Sequence, residues 1–473
     1  MDIILTETNK GKRSLVCDSF RYRVDKTLKG EEISWRCTAK GCKARLRTDC
    51  TGTVIIQQKN THNHDTSDRD NERHLLRVRS KRKADDDIAQ RPSKIIRTEL
   101  QNMDEANLKS EDIGSVSKAI YRKRRKSHPA LPKSREETHQ SLKKINIQSN
   151  KFENFVQFND EQTGIIILTC PTNLECLCSV PEIFMDGTYK YCPKFFKQLY
   201  TIHGYNKGNY VPLVFCLLPG KSEEIYVNCF SSIVKLCSDQ GHTLQPKAVH
   251  VDFEERVMKV MKDFFPSIEI KCCRFHLGQA WWRKIQKVGL SQQYKEHDSD
   301  ISKWLKGIFG IAFLAPDEVA DCFVEDFMAV VPNDKPCIEF ADYLTDTYIT
   351  DESLFPPHLW AEVPSSLKRT NNGPESFHAH YNEQFYHSHP SIYTFLDTII
   401  KLQSVTYIKI RSLNIDAPQS RTEKEKEQNL RDLHSKYCQQ EITRDFYVRS
   451  LGYKFQARTD FLLVNSSFNE LYS

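Results

Sequence analysis

The chain has 473 residues, of which 39% are hydrophobic and 27% charged, with a formal net charge of +6. That length suits about two to three domains of ordinary size. The opening stretch from Met1 to Lys10 is polar, and the longest apolar stretch, Val211 to Leu218, is interrupted by Pro212 and far too short to cross a bilayer, so neither a secreted nor a membrane protein is expected.

Charge is distributed unevenly. Residues 1–150 hold 34 Lys and Arg against 21 Asp and Glu, whereas residues 151–473 hold 34 against 41. The N-terminal part is therefore the candidate DNA contact, because Lys and Arg supply the sequence-independent part of phosphate binding. Sixteen cysteines in a chain of this kind read as reduced thiols and metal ligands, not as a disulfide framework.

In chain order, the first element is built on Cys37, Cys42, His62 and His64, spaced C-x4-C-x19-H-x-H. Two tight pairs of thiolate and imidazole ligands suit one tetrahedral Zn²⁺, whose binding would fold a segment too small for a large core. Chance clustering is the bland alternative, and the closeness of both pairs speaks against it. Ala44 to Lys59 carries Val54, Ile55 and Ile56 among Arg, Lys and Thr, which predicts strand instead of helix. Cys17 and Cys50 read as small hydrophobes.

Leu15, Phe20, Arg21 and Tyr22, then Ser34 to Cys37, Gly41 to Leu46 and Thr61 to His64, resemble a FLYWCH-type zinc finger. The resemblance covers most of residues 10–65 and sets the first domain at 1–66. It implies Cys37, Cys42, His62 and His64 as zinc ligands, with Phe20, Tyr22 and Trp35 as a miniature core.

Residues 67–150 are rich in Lys, Arg, Asp, Glu, Gln and Ser and read as a basic linker, partly helical and otherwise disordered, with helical spacing over Leu100 to Ile120 and a stop at Pro129 and Pro132. Its basic runs, Arg77 to Lys83 and Arg122 to Lys126, are solvated faces, import signals or phosphate contacts. The expected DNA contacts are Arg36, Lys43 and Arg45 in the finger and Lys81, Arg82, Lys83, Arg122, Lys123, Arg124, Arg125 and Lys126 beyond it.

From Phe152 the pattern turns to short strands, Phe155 to Phe158 and Gly164 to Thr169. Strands follow at Glu182 to Thr188, Gln198 to Tyr205 and Tyr210 to Pro219, then a helix at Glu223 to Gln240 whose apolar residues recur at helical spacing. Lys247 to Phe253 reads as strand, Glu254 to Phe265 as helix, Ile268 to Phe275 as strand and Leu277 to Val288 as helix. The order β-β-β-α-β-α-β-α is that of a ribonuclease-H-like mixed sheet, and the fold class is α/β (α+β). Asp186 ends the apolar run of the first of these strands and Asp252 that of the fourth, two neighbours in such a sheet. Paired carboxylates invite a divalent cation, although by themselves the two aspartates read more readily as strand-end turn residues. Glu254 reads as an acid at a helix start, and Cys273 with His276 as a core cysteine beside a site-adjacent histidine.

Phe184 to Thr188, His250 to Glu254, Cys273 to Leu277, and Thr370 to Asn372 followed by Glu375 and His378 resemble the transposase domain of Mutator-like elements, over roughly residues 150–410. The resemblance implies an Asp-Asp-Glu triad at Asp186, Asp252 and Glu375, holding Mg²⁺ or Mn²⁺ for phosphodiester hydrolysis and strand transfer, on a core at 151–412 with a helical insertion at about 291–367. Residues 413–473 read as a tail. They hold one cysteine, Cys438, so they cannot supply the further Cys/His finger that members of the group often carry. The resulting expectation is a nuclear, zinc-containing DNA-binding transposase. Its competitor is a captured, catalytically inactive DNA-binding transcriptional regulator. DNA is the expected partner, homo-oligomerisation is left open, and neither a membrane nor a small-molecule substrate is expected.

Overall fold

The computed structural model describes residues 3–455 except 9–10, 29, 87, 104–105, 128, 297 and 365–371. The side chains of 85, 86, 127, 372, 373 and 375 also lie outside the described set. Two compact units emerge, one of residues 1–132 with 383–398 and one of residues 133–382 with 399–473.

The first unit opens with six antiparallel strands in sequential order: β1 (Ile3–Glu7), β2 (Arg13–Cys17), β3 (Phe20–Thr27), β4 (Ile33–Cys37), β5 (Arg45–Thr48) and β6 (Ile55–Lys59). Leu15, Tyr22, Ile33, Trp35, Ala44 and Leu46 form its core. Buried Trp35 keeps its indole N–H satisfied by donating to Thr48 Oγ1 at 2.8 Å. The strand reading of 44–59 is thus met by β5 and β6. Cys17 is buried as expected, but Cys50 is exposed.

Composition misleads over residues 67–150. Instead of a loose linker, the structure has three packed helices, α1 (Asp68–Asp86), α2 (Pro92–Leu100) and α3 (Ser110–Ser127). Their few aliphatic residues fall on facing sides, and Leu76, Ala84, Ile95, Ile96, Val116 and Ile120 close a small core. Asp112, almost fully buried, binds Arg69 Nε at 2.9 Å and Arg73 Nη1 at 3.4 Å and so fastens α3 to α1. The helical spacing seen over Leu100 to Ile120 is interrupted, because α2 stops at Leu100 and α3 starts at Ser110. Asn71 of α1 donates to the Ser19 carbonyl between β2 and β3, tying the helices to the finger.

The second unit begins with α4 (Arg135–Lys143), β7 (Val156–Asp160), β8 (Ile165–Leu168) and α5 (Pro171–Ser179). Then come β9 (Glu182–Thr188), β10 (Gln198–Asn206), β11 (Asn209–Leu218), α6 (Glu223–Asp239), β12 (Ala248–Val251), α7 (Glu255–Phe264), β13 (Glu269–Cys272) and α8 (Arg274–Lys287), in the order read from the sequence. The seven strands form one mixed sheet ordered β13-β12-β9-β10-β11-β8-β7. β10 is antiparallel to both β9 and β11, while β12 is parallel to β9 and to β13.

The insertion is mainly helical, with α9 (Ser291–Lys295), α10 (Asp300–Ile308), α11 (Val319–Cys322) and α12 (Lys335–Leu344) joined by short 3₁₀ and π turns. The chain continues with α13 (Asn372–Glu383), α14 (Ile392–Ser412), α15 (Arg421–Cys438) and α16 (Arg444–Phe455). Two expected boundaries need correction. Residues 383–398 belong with the finger and α1–α3 instead of the sheet domain. Residues 413–455 are not a loose tail, since Tyr447, Val448 and Leu451 of α16 are buried in the same core as the sheet.

Candidate metal centres

The first centre is assembled where β4 ends. Cys37 is its last residue, and Gly41, at φ +83°, turns the chain so that Cys42 returns beside it. Cys42 N–H donates to the Ala39 carbonyl and Ala39 N–H to Cys37 Sγ at 3.5 Å, a compact knuckle presenting both sulfurs on one side. After β6 the chain delivers the histidines. Cys37 Sγ lies 3.2 Å from His64 Nε2, Cys42 Sγ 3.4 Å from His62 Nδ1, and the two imidazole nitrogens 3.2 Å from each other. All four donor atoms fall within 4.8 Å of one another.

The remaining ring nitrogens are also engaged. His62 Nε2 lies 2.7 Å from the Tyr22 hydroxyl, and His64 Nδ1 2.9 Å from the Asp65 carbonyl. Each hydrogen bond leaves the opposite nitrogen facing the sulfurs, the usual way a neighbouring group selects a tautomer for ligation. Tyr22 is fully buried, whereas Phe20 is only half-buried and stacks on His62 with ring centroids 3.5 Å apart. Burial raises the Cys37 thiol. For Cys42 burial acts the same way, but the Ala44 and Asn63 N–H groups bring its thiol below the ordinary range.

The second centre lies on the mixed sheet. His250 of β12 pairs with Phe184 of β9, so Asp252, just past β12, comes level with Asp186 inside β9. Asp186 is buried and Asp252 more open. Cys273 N–H donates to the Val251 carbonyl, and α8 starts immediately afterwards, which swings His276 of its first turn back over the end of β12. His276 Nδ1 sits 2.6 Å from Asp252 Oδ1, and the donor atoms of Asp186, Asp252 and His276 all lie within 4.8 Å. Burial, followed by the Asp252 charge, raises the Asp186 carboxyl against the opposing pull of His378. Burial lowers the His276 imidazole, but Asp252 and Cys273 outweigh it and hold the group well above its usual value.

A second histidine reaches Asp186 from α13. His378 Nε2 is 3.7 Å from Asp186 Oδ2 and 2.9 Å from Thr201 Oγ1, while Thr201 donates to the Asp186 carbonyl and accepts from His203 Nε2 at 3.0 Å. Because the Thr201 hydroxyl proton is already committed, its oxygen accepts an Nε2–H from His378. Burial lowers the pKa values of His378 and His203, consistent with neutral rings. Glu375 lies one helical turn before His378 in α13, and its side chain is outside the described residues.

Glu254 stands at a helix start, where its position in the sequence put it. It occupies the N-cap of α7 but makes no side-chain cap; its Oε1 accepts instead from Tyr226 at 3.0 Å. Burial raises its carboxyl, opposed mainly by Lys221. Lys221, Thr201 and His203 escaped the sequence reading because they carry no spacing signal. His378 stood in the quoted motif.

The basic residues divide. Arg36 and Arg45 both face Asp25, Arg82 pairs with Glu7 and Lys83 with Glu99. Arg124 donates to the Ala84 carbonyl at 3.3 Å and the Gln90 carbonyl at 2.9 Å, a structural use at the end of α1. Lys43, Arg122, Arg125 and Lys126 are exposed. Lys81 is lowered by burial and then by Arg77, Lys123 and Lys126, which marks a crowded basic cluster between α1 and α3.

No helix among the described residues is long and apolar enough to cross a membrane. Residues 5–64 match the family model described as the FLYWCH zinc finger domain, and residues 182–280 that of the MULE transposase domain. No curated protein matches the chain. The chain thus carries a FLYWCH zinc finger domain followed by a MULE transposase domain.

Proposed function

We propose that this is a nuclear, zinc-dependent DNA-binding protein whose sheet domain, of ribonuclease-H-like type, cleaves DNA phosphodiesters and transfers strands. The observation that carries the reading is the pairing of β12 with β9, which sets Asp252 level with Asp186 on neighbouring parallel strands. The residues present fit a divalent cation, because Asp252 Oδ1 is shielded from water and makes no hydrogen bond of acceptable geometry. Mg²⁺ or Mn²⁺ held by Asp186 and Asp252, with Glu375 as the third carboxylate by its place in the sequence motif, would stabilise the attacking and leaving oxygens of an in-line displacement. Water attacks the phosphorus first and frees a 3′ hydroxyl, which then attacks a target phosphodiester and displaces its 3′ oxygen.

In this reading Cys37, Cys42, His62 and His64 hold structural Zn²⁺. Lys43, Lys81, Arg122, Lys123, Arg125 and Lys126 supply phosphate contacts, with Arg36, Arg45, Arg82 and Lys83 adding charge already shared with acidic neighbours and Arg124 acting structurally. His378 holds α13 against β10 through Thr201. The test is a labelled duplex incubated with Mg²⁺ or Mn²⁺. Asp186→Asn should abolish metal-dependent nicking and leave duplex affinity within about twofold, since the amide removes the charge a cation needs. Wild-type binding without any nicking would return the regulator reading, and absence of DNA binding would overturn both.

A further inference from the structure

We propose that His276 is itself a ligand of the cation at Asp186 and Asp252, so that the site favours a first-row divalent ion such as Mn²⁺ over Mg²⁺. This rests on the reading of the two aspartates as a cation site and adds the identity of a third ligand and of the preferred metal. The backbone route is fixed. β13 lies beside β12, Cys273 extends their ladder, and α8 is locked by buried Leu277, Trp281 and Ile285, so the His276 ring is delivered to the end of β12 by rigid elements.

The donor geometry is close to what one ion requires. Metal–ligand bonds of about 2.1 Å place adjacent donors about 3 Å apart, and the His276 Nδ1 to Asp252 Oδ1 distance of 2.6 Å reaches that with a small opening. Both atoms are shielded from water, and neither makes a well-formed hydrogen bond, even to the other. An ordinary His–Asp pair would align its N–H with the carboxylate; a cation that displaces the ring proton and sits between Nδ1 and Oδ1 would satisfy both atoms. Among the described residues, His276 groups with the two aspartates, and Cys273 is not part of that donor set. First-row transition ions accept imidazole, Mn²⁺ the most weakly of them, whereas Mg²⁺ prefers oxygen ligands and retained waters.

The experiment uses the full chain with its finger loaded with zinc and excess zinc removed. Mn²⁺ is titrated by electron paramagnetic resonance, Mg²⁺ by competition, on wild type, His276→Ala and Asp186→Asn, each checked for an unchanged thermal transition. His276→Ala should weaken Mn²⁺ at least tenfold and Mg²⁺ far less, and wild type with Mn²⁺ should show spin-echo modulation from a directly bound ¹⁴N that the variant lacks. If Asp186→Asn weakens Mn²⁺ but His276→Ala does not, or if the modulation is absent from wild type or survives in His276→Ala, the histidine is not a ligand and the carboxylate site stands without it. If neither substitution changes Mn²⁺ affinity, the metal reading of Asp186 and Asp252 falls, and this proposal with it. Because the modulation is read on wild type, a variant that failed to fold would not protect the proposal.

Discussion

At the residue scale, the Cys/His centre of the finger depends on groups outside its four donors. The Tyr22 hydroxyl sits on His62 Nε2, leaving Nδ1 toward Cys42. Tyr22→Phe keeps the buried ring but removes that hold, so zinc affinity should fall about 10- to 100-fold, the usual cost of losing such a partner, as read by chelator competition. Cys42→Ser removes a ligand outright. Structural zinc supplies on the order of 10 kcal/mol to small modules, so this variant should lose β-sheet circular dichroism from the finger at chelator levels the wild type survives. Native-like finger structure with no bound zinc would contradict the ligand set.

At the scale of elements, α1–α3 separate structural from solvent-facing basic residues. Arg124→Ala removes charge-assisted bonds to two carbonyls and should cost about 1.5–3 kcal/mol in denaturant unfolding. Arg125→Ala, on an exposed side chain, should leave stability nearly unchanged and lower the slope of log affinity against log salt by about 0.9. Equal effects of the two on stability would refute the division.

His74 in α1 adds a pH dependence. Burial, then Arg21, Arg77 and Lys81, push its imidazole down to about 4. The unfolded chain binds this proton near its ordinary value of about 6.5, so the contribution of neutral His74 is complete above that pH and is lost as pH falls toward the folded value. His74→Gln should therefore lose less stability than wild type between about pH 7 and about pH 4.5. Zinc release at acid pH acts on both proteins alike, so the difference isolates this group.

At the scale of the whole molecule, the C-terminal helices are part of the framework of the second unit. A Cβ on Gly452 of α16 would stand 2.4 Å from the Lys306 carbonyl oxygen and 2.7 Å from that of Gly307 in α10. Backbone cannot yield as a side chain can, so Gly452→Ala should destabilise by about 3 kcal/mol, the upper part of the range for overpacking, and lower the thermal transition. An unchanged transition would mean that the two helices do not cross this closely.

Most of the sheet was legible because strand and helix periodicities in a buried domain are strong: β9, α6 and α8 fall within a few residues of their expected bounds. The four finger donors were legible because short ligand pairs are local in sequence, and the structure brings them together. Other features were hidden for physical reasons. The packing of α1–α3 rests on six small or aliphatic residues scattered through a highly charged stretch, a pattern whose composition matches that of an unfolded linker. Thr201 and His203 become partners of His378 only because β10 runs under α13.

By itself the sequence determined the secondary-structure order, the four clustered Cys and His donors of the finger and the two aspartates that close apolar runs, since each is written in spacing that neighbouring residues enforce. Only the tertiary structure decided that His276 stands with Asp186 and Asp252, that Glu254 serves Tyr226, and that α16 completes the core. Those outcomes depend on where distant segments cross, which is set by the combined packing of the sheet and its helices and leaves no periodic trace in the chain.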